Sequence, residues 1–228
     1  MTITVIDYGR SNLLSVERGL VRMGAQVVFA RTPEAVRAAK ALVLPGVGAF
    51  ADGMAGLAEL GLIEPIRAQA AAGVPLLGIC LGMQMLFDES DEFGRHPGLG
   101  LIPGRVEKIP AQDADGEPLR VPNIGWRPLY PAGAEAEGLP GAAGAPLDFS
   151  GTALARVTPG QECYFVHSFA GKPLSPAHRL ADTVYGGRRI CAAACSGSVL
   201  GTQFHPEKSG PVGLSILAEF LRLAGAHS

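Results

Sequence analysis

Long apolar runs, blocks of like charge and paired cysteine motifs are all missing from this sequence of 228 residues. No apolar run approaches the ~20 residues that a membrane-spanning helix needs. The net charge is −2, and no basic face is expected, which argues against nucleic acid or a membrane surface as a partner. The N-terminus has neither the basic region nor the cleavage site of a secretory signal, so we expect none.

The cysteines are few and scattered: Cys80, Cys163, Cys191 and Cys195. None forms a C-x-x-C pair or a Cys/His cluster with zinc-ligand spacing, and neither a metal nor a cofactor is expected. Cys191 and Cys195 are predicted on one strand, roughly 13 Å apart, which is too far for a disulfide. Reduced thiols in a cytoplasmic protein are therefore predicted.

The first half of the chain alternates short apolar runs with helical patterns, and Ser11 or Asn12 is a candidate cap for the first helix. Four strands with intervening helices imply a parallel sheet that is covered on both faces. We expect strands at 2–7, 25–30, 41–45 and 74–79, and helices at 12–23, from 33, at 51–59 and at 64–72.

The second half is richer in strand patterns, with hairpin signals at Gly186-Gly187 and Ser196-Gly197. It should be largely antiparallel or mixed, and it ends in an amphipathic helix at 211–223. Strands are expected at 104–110, 164–169, 178–185, 188–195 and 198–204. Residues 88–98 and the Gly-, Ala- and Pro-rich residues 131–162 are expected to be exposed loops. The fold class is thus α/β, within a single domain over 1–228.

Cys80 stands between two glycines in "GICLG" (78–82), directly after a predicted strand. This pattern resembles the strand–turn–helix elbow that presents a nucleophile in a strained backbone conformation. The helix predicted to begin near Leu81 directs the positive end of its dipole at the sulfur and favours thiolate. The alternative is a small, buried and inert side chain.

A base for this nucleophile is found in "GTQFHPEKS" (201–209), where His205 follows a predicted strand. Glu207 is two residues further on and can orient the imidazole. Cys80, His205 and Glu207 therefore form a candidate triad of nucleophile, base and orienting carboxylate. Taken alone, His-Pro-Glu is also an ordinary polar turn.

The other histidines are weaker candidates for the base. His96 and His178 lie in polar, loop-like surroundings, and His227 is at the terminus. His167, in "YFVHS", lies in a strand pattern without a nearby carboxylate, so we interpret it as a wall residue of the site or as part of the core.

Backbone N–H groups are the usual donors to the oxyanion of acyl transfer. The loop "PGVGAF" (45–50) follows the third strand, so Gly46, Val47 and Gly48 are expected at the same sheet edge as Cys80. One of their N–H groups and that of Leu81 are candidates for an oxyanion hole. The loop can also be a plain Gly-rich turn, and it is not a phosphate loop because no G-K-[ST] follows.

Together, "GICLGMQ", "PGVGAF" and "GTQFHPEKS" resemble the triad-type class I glutamine amidotransferases. "DYGRSNLLSV", "NIGW", "YFVHSF" and "PEKS" make the chain similar to the glutaminase subunits of imidazole glycerol phosphate synthase. The resemblance implies a three-layer, flavodoxin-like α/β fold with a mixed, mostly parallel sheet and an antiparallel β-rich second half. It also implies hydrolysis of L-glutamine to glutamate and ammonia through a thioester on Cys80.

By the same resemblance, Gln84 helps to hold glutamine, and His167, Ser168 and Phe169 line the pocket for its head group. The family passes ammonia to a (βα)₈-barrel cyclase subunit in histidine biosynthesis, so a heterodimer is expected. Asn12, Trp126 and Lys208 are then expected at the docking face.

The sequence departs from the family pattern at three positions. Glycine is expected where Ser11 stands, histidine at Asn123 and asparagine at Arg127. The last two changes flank Trp126, so the partner contacts there should differ from those of the family.

Three other functions stay open from the sequence. They are a glutaminase for another amidotransferase, such as those of anthranilate or pyridoxal phosphate synthesis, a non-catalytic flavodoxin-like binding module, and a cysteine peptidase. "NIGW" and "PEKS" argue against the first, and the complete trio of Cys80, His205 and Glu207 argues against the second.

Overall fold

The alternation of strands and helices in the first half is confirmed in the computed structural model, which describes residues 1–9 and 12–226. Within these residues the strands are β1 (Thr2–Ile6), β2 (Gln26–Ala30), β3 (Leu42–Gly46), β4 (Leu76–Cys80), β5 (Phe87–Ser90), β6 (His96–Pro97), β7 (Ile102–Lys108), β8 (Asn123–Pro128), β9 (Tyr130–Pro131), β10 (Glu162–His167), β11 (Phe169–Pro173), β12 (Arg179–Tyr185), β13 (Arg188–Ser196) and β14 (Val199–Thr202). The α-helices are α1 (Leu13–Arg22), α2 (Pro33–Arg37), α3 (Phe50–Glu59), α4 (Ile63–Ala71), α5 (Leu81–Met85) and α6 (Gly210–Ala226).

An eight-stranded sheet forms the middle layer, in the order β2-β1-β3-β4-β14-β13-β12-β9. The strands from β2 to β14 are parallel, and β13, β12 and β9 add antiparallel pairs at one side. The predicted mixed, mostly parallel sheet is therefore confirmed. The turn at Gly186-Gly187 joins β12 to β13, and Gly197 lies in the turn to β14.

Alternate side chains of the parallel strands point to two different apolar layers, as the period of two in a strand requires. Ile3 and Val5 of β1 pack with Leu20 of α1 and Ile216 of α6. Ile6 belongs to the opposite layer, which contains the buried faces of α2, α3 and α4. Because both faces are covered, the central strands are largely apolar, and this is why they are recognisable in the sequence.

The N-cap residues of the first two helices differ in whether their side chains form a capping hydrogen bond. Thr32 accepts a hydrogen bond from the backbone N–H of Ala35 and caps α2. Asn12 occupies the N-cap position of α1, but its side chain makes no capping hydrogen bond. Ser11, the alternative cap, lies outside the described residues, as does His227.

The expectation that 88–98 is a loop is wrong. β5 and β6 pair antiparallel across this segment, and β5 also runs parallel to β7 in a four-stranded sheet ordered β11-β7-β5-β6. The acidic side chains of this segment give no apolar strand pattern, and the strand β7 that pairs with β5 lies further along the chain, so the sequence did not predict these strands. One acidic side chain also joins the two strands, since Asp88 accepts the backbone N–H of Gly104 in β7.

The segment 131–162 has no helix or strand between Ala132 and Gln161, yet it is not simply an exposed loop. Phe149, Leu154 and Val157 are buried in the same apolar layer as α6. The first part is held by Arg189, whose guanidinium donates to the backbone carbonyls of five residues, Pro131, Ala132, Ala134, Leu139 and Pro140. The expectation of a purely exposed loop is corrected, since this segment completes the core.

None of the helices among residues 1–9 and 12–226 combines the length and the apolar character that crossing a bilayer requires.

Candidate active site

Cys80 is the last residue of β4, and the next residue begins α5. Its backbone has φ +55° and ψ −110°, a conformation that costs a non-glycine residue about 1 to 3 kcal/mol. The flanking glycines are required by packing, because a Cβ on Gly82 would lie 1.8 Å from the carbonyl oxygen of Leu44. A Cβ on Gly78 would lie 2.8 Å from the Gly82 backbone. The sequence "GICLG" therefore forms the predicted elbow.

Three neighbouring strands end at this edge of the sheet. Gly46 at the end of β3 is in register with Cys80 at the end of β4, and Thr202 ends β14 beside Ile79. The segments that follow these strands therefore meet around one cavity of about 430 Å³. Its lining consists of Val47, Gly48, Cys80, Leu81, Gln84, Glu92, Pro122, Val166, His167, Ser168, Phe169 and His205.

His205 and Glu207 form a buried pair beside the sulfur. Nδ1 of His205 lies 2.8 Å from Oε1 of Glu207, and since a carboxylate accepts, Nδ1 carries the proton. Burial lowers the pKa of His205, but hydrogen bonds and charge from Cys80 and Glu207 outweigh it and raise the pKa to about 9. Among the described residues Nε2 has no hydrogen-bond partner, although it is buried, and it is the ring atom that carries the second proton when the imidazole is charged.

The sulfur of Cys80 has two further polar neighbours. Nε2 of Gln203 lies 3.8 Å from Sγ, and the carbonyl oxygen of Val166 lies 4.0 Å from it. Both distances are at the long end for hydrogen bonds to sulfur, so these contacts orient the thiol rather than hold it strongly.

The predicted oxyanion residues do not all reach the cavity. Val47, Gly48 and Leu81 line it, and Gly48 has φ +96°, which a glycine adopts without strain. Gly46 does not line it. A Cβ on Gly46 would lie 2.5 Å from the Tyr8 hydroxyl, so this glycine serves packing behind the elbow.

The predicted wall residues Gln84, His167, Ser168 and Phe169 all line the cavity. The amide of Gln84 donates to the carbonyl of Phe169 at 3.0 Å. Burial lowers the pKa of His167 to about 4, with the nearby charge of His205 adding to the effect, so its imidazole is neutral at neutral pH. Its hydrogen bonds are to an amide and a backbone carbonyl, and it has no carboxylate partner among the described residues.

The family model described as glutamine amidotransferase class-I matches residues 4–224. The chain belongs to this family. It is 47% identical over 222 residues to the imidazole glycerol phosphate synthase subunit HisH 1 of Legionella pneumophila strain Lens, covering 97% of this chain and 99% of that protein. It is 42% identical over 220 residues to the HisH subunit of Geobacter metallireducens, covering 96% and 97%. Within the amidotransferases it is therefore a member of the HisH group.

A crystal structure described as a glutamine amidotransferase superposes with a TM-score of 0.69 over 97% of this chain and 98% of that one. Its sequence identity is 21%, so this likeness concerns the fold alone. It confirms the predicted amidotransferase fold.

Sequence reasoning did not single out two residues at this amidotransferase site. Gln203, which contacts the sulfur, lies two positions before His205 in the segment that follows β14, so its closeness in sequence to the predicted base was a usable signal. Glu92 contributes the only carboxylate among the residues that line the cavity, and its Oε2 accepts the backbone N–H of Phe50 at 2.6 Å. No local signal identified Glu92, because it lies in an acidic turn that the sequence presents as ordinary surface.

The three residues expected at a docking face of the amidotransferase all reach solvent. Asn12 and Lys208 are exposed, and Trp126 is 47% exposed while its ring packs edge-on against Tyr164. Tyr164 lies beside His205, since its carbonyl accepts the backbone N–H of His205 at 3.0 Å.

The remaining thiols and the other described histidines lie apart from the cavity. Burial raises the pKa of both Cys163 and Cys191 to about 12, so neither is a thiolate at neutral pH. His96 and His178 are not among the lining residues.

Proposed function

We propose that the chain hydrolyses L-glutamine with Cys80 as nucleophile, His205 as proton carrier and Glu207 as the group that orients the imidazole. One observation carries the proposal: a cysteine on a strained elbow shares a cavity with a histidine whose Nδ1–H is held by a carboxylate. This is the arrangement that nucleophilic acyl transfer needs.

In the first half-reaction, the Cys80 proton passes to Nε2 of His205 and Sγ bonds to the side-chain amide carbon of glutamine. The C–N bond then breaks, and the leaving nitrogen takes the proton from His205 and departs as ammonia. A thioester remains on Cys80. In the second half-reaction, His205 removes a proton from water and the resulting hydroxide attacks the thioester carbon. The C–S bond then breaks, His205 returns its proton to the sulfur, and glutamate leaves.

Negative charge develops on the amide oxygen in both half-reactions, and backbone N–H groups are the natural donors. Leu81, Val47 and Gly48 supply the candidates, because all three line the cavity next to Cys80. The positive φ of Gly48 lets the backbone turn there in a way that a side chain would oppose.

The head group of glutamine carries an ammonium and a carboxylate. Glu92 suits the ammonium, since its side chain is the only acidic one among the lining residues. Its attachment to the Phe50 backbone fixes the carboxylate in place before substrate binds. Gln84, His167, Ser168 and Phe169 then form the wall along which the substrate lies.

We further propose that the ammonia is delivered to a (βα)₈-barrel cyclase subunit in a cytoplasmic heterodimer, which uses it to make imidazole glycerol phosphate and aminoimidazole carboxamide ribotide. Asn12, Trp126 and Lys208 are proposed contacts for this subunit. Supporting this, Lys208 directly follows the triad carboxylate in the short 3₁₀ helix Pro206–Lys208, and α1 packs against that helix. A partner docked on this surface lies next to the site that releases ammonia.

The test combines a glutamine-analogue electrophile with a turnover assay in the presence of the cyclase. Mass spectrometry should locate the label on Cys80, and Cys80→Ser should lose at least about a thousandfold in kcat, because the hydroxyl is a far weaker nucleophile here. Cys195→Ser, a matched change at a partly buried thiol outside the cavity, should behave like the wild type.

Absence of label on Cys80 with the cyclase bound, or full activity of Cys80→Ser, would contradict the triad. Hydrolysis of peptides without turnover of glutamine would favour a peptidase instead.

A further inference from the structure

A chain of side-chain hydrogen bonds runs behind the cavity wall, from the surface of β8 to the pocket. Nε of Arg127 donates to Oδ1 of Asn123 at 3.1 Å. Nδ2 of Asn123 lies 3.2 Å from Nε2 of His167, and Nδ1 of His167 lies 2.8 Å from the carbonyl oxygen of Phe169. Asn123 and His167 face each other in the β8–β10 ladder, and both are buried.

The two ends of this chain, a guanidinium that only donates and a carbonyl that only accepts, together fix the direction of every bond in it. A guanidinium only donates, so the Asn123 group that faces it must be the oxygen. The amide nitrogen of Asn123 then faces His167 and donates to Nε2. Nε2 is therefore an acceptor, and the single proton of the neutral imidazole must be on Nδ1, where it is donated to Phe169.

The same carbonyl links this chain to the nucleophile. The amide nitrogen of Gln84 donates both to the Phe169 carbonyl and, at 3.1 Å, to Oε1 of Gln203. Oε1 of Gln203 is thereby fixed as the acceptor, and its amide nitrogen points to the sulfur of Cys80. The other tautomer of His167 would place a ring lone pair against the Phe169 carbonyl and push this carbonyl away.

We propose that Asn123 and Arg127 are positioning residues for the amidotransferase reaction. By fixing the Nδ1–H tautomer of His167, they hold the Phe169 carbonyl in the place where Gln84 and the cavity wall need it. The inference rests on the proposed function and adds to it two residues at which the sequence departs from the family pattern. Neither residue touches substrate or exchanges a proton with it.

The surroundings keep this arrangement in place. Asn123 is fully buried, so losing either partner leaves an unpaired amide in the interior, which is costly. The guanidinium of Arg127 lies over the Tyr185 ring, 4.9 Å from its centroid, which holds the donor in position. Trp126 is the neighbour of Arg127 on β8, so the strand proposed to dock the partner also carries the positioning pair.

The decisive variant is Asn123→Asp, which has the same shape but replaces the donor to Nε2 by an acceptor. ¹⁵N NMR of labelled protein should show the Nδ1–H tautomer of His167 in the wild type, and in Asn123→Asp an imidazole protonated at Nε2. In the complex with the cyclase, kcat/KM for glutamine should fall about tenfold or more, mostly through KM, because the wall holds substrate.

A second pair of variants separates hydrogen-bond direction from mere packing. Arg127→Lys keeps a group that only donates, and its kcat/KM should stay within about threefold of the wild type. Arg127→Met removes the donor and should lose about tenfold. Arg37→Met removes a more exposed charge from α2 and serves as the control, with no change expected in tautomer or kinetics.

Asn123→Asp with the wild-type tautomer, or with kcat/KM within twofold of the wild type, overturns the positioning role. An active wild type with an unchanged Asn123→Asp contradicts this inference alone. A wild-type complex that does not hydrolyse glutamine contradicts the proposed function, whatever the tautomer of His167.

Discussion

At the scale of single residues, two buried histidines in one cavity are driven in opposite directions by their partners. His205 faces a carboxylate and a thiol, and these raise its pKa to about 9 against the effect of burial. His167 faces an amide nitrogen and a carbonyl, so burial dominates and its pKa falls to about 4. The first can carry a proton during turnover, and the second keeps a fixed neutral tautomer.

His167 should make the protein sensitive to acid. Because its pKa is about 4 when folded and about 6.5 when unfolded, the unfolded chain binds the extra proton between these values. The stabilisation is complete above pH 6.5 and is lost as the pH falls towards 4, by about 2 to 3 kcal/mol at pH 4.5. Denaturant unfolding at pH 7 and pH 4.5 measures this loss.

His167→Gln should lose less unfolding free energy between the two pH values than the wild type does. His96→Gln, in the β5–β6 hairpin, should show the wild-type loss. If His167→Gln and the wild type lose equal amounts, His167 is not the acid-sensitive group.

At the scale of elements, the elbow depends on close approach of α5 to β3 and β4. Gly82→Ala should destabilise the protein by at least about 2 kcal/mol, because its Cβ would overlap the Leu44 carbonyl oxygen, which is backbone and cannot rotate away. Thermal unfolding checks the stability, and labelling of Cys80 checks the elbow.

Gly225→Ala near the end of α6 is the matched control. A Cβ there meets only Met1 Sδ at 3.9 Å, so stability should stay constant or rise by up to about 1 kcal/mol. Equal stability of Gly82→Ala and Gly225→Ala would contradict this prediction, because it would show that α5 can move away from β3 at little cost.

The segment 131–162 depends on one strand residue for its attachment. Arg189→Met should cost about 3 to 5 kcal/mol, because it leaves the fully buried Asp182 with one cationic partner and frees several backbone carbonyls of the segment. Limited proteolysis should then cut within 133–141 first.

Arg188→Met, one residue earlier on β13 and exposed, changes a side chain that donates to a single carbonyl, that of Asp113. We expect it to cost less than about 1 kcal/mol. Equal costs for the two variants would refute the anchoring role of Arg189.

At the scale of the whole molecule, the carboxyl edge of the sheet brings the cavity and the proposed docking face together. Trp126→Ala should weaken binding of the cyclase by about 2 kcal/mol or more, since a half-exposed tryptophan is typical of an interface anchor. Titration calorimetry or surface plasmon resonance gives the affinity.

Leu147→Ala is a control for the loss of apolar surface, because Leu147 is 73% exposed and lies in the 131–162 segment. It should bind the cyclase as the wild type does. Unchanged affinity of Trp126→Ala would place the docking face elsewhere.

The sequence by itself determined the parallel layer and the elbow. Strands buried on both faces leave continuous apolar runs, and a tight strand-to-helix turn leaves glycines on both sides of Cys80, so both features are local in the sequence. The pairing of His205 with Glu207 was equally accessible, because two residues separate them.

Only the tertiary structure decided which side chains share the cavity and which groups hold each of them there. Glu92 reaches the cavity from the β5–β6 hairpin, whose acidic residues look like ordinary surface in the sequence. Gly46 packs against Tyr8 instead of lining the cavity. Part of the segment 131–162 is buried and completes the core. The direction of the hydrogen bonds from Arg127 to His167 depends on the pairing of β8 with β10, two strands far apart in the chain. Such contacts leave no local pattern, because each residue satisfies its hydrogen bonds with a partner that only the folded sheet supplies.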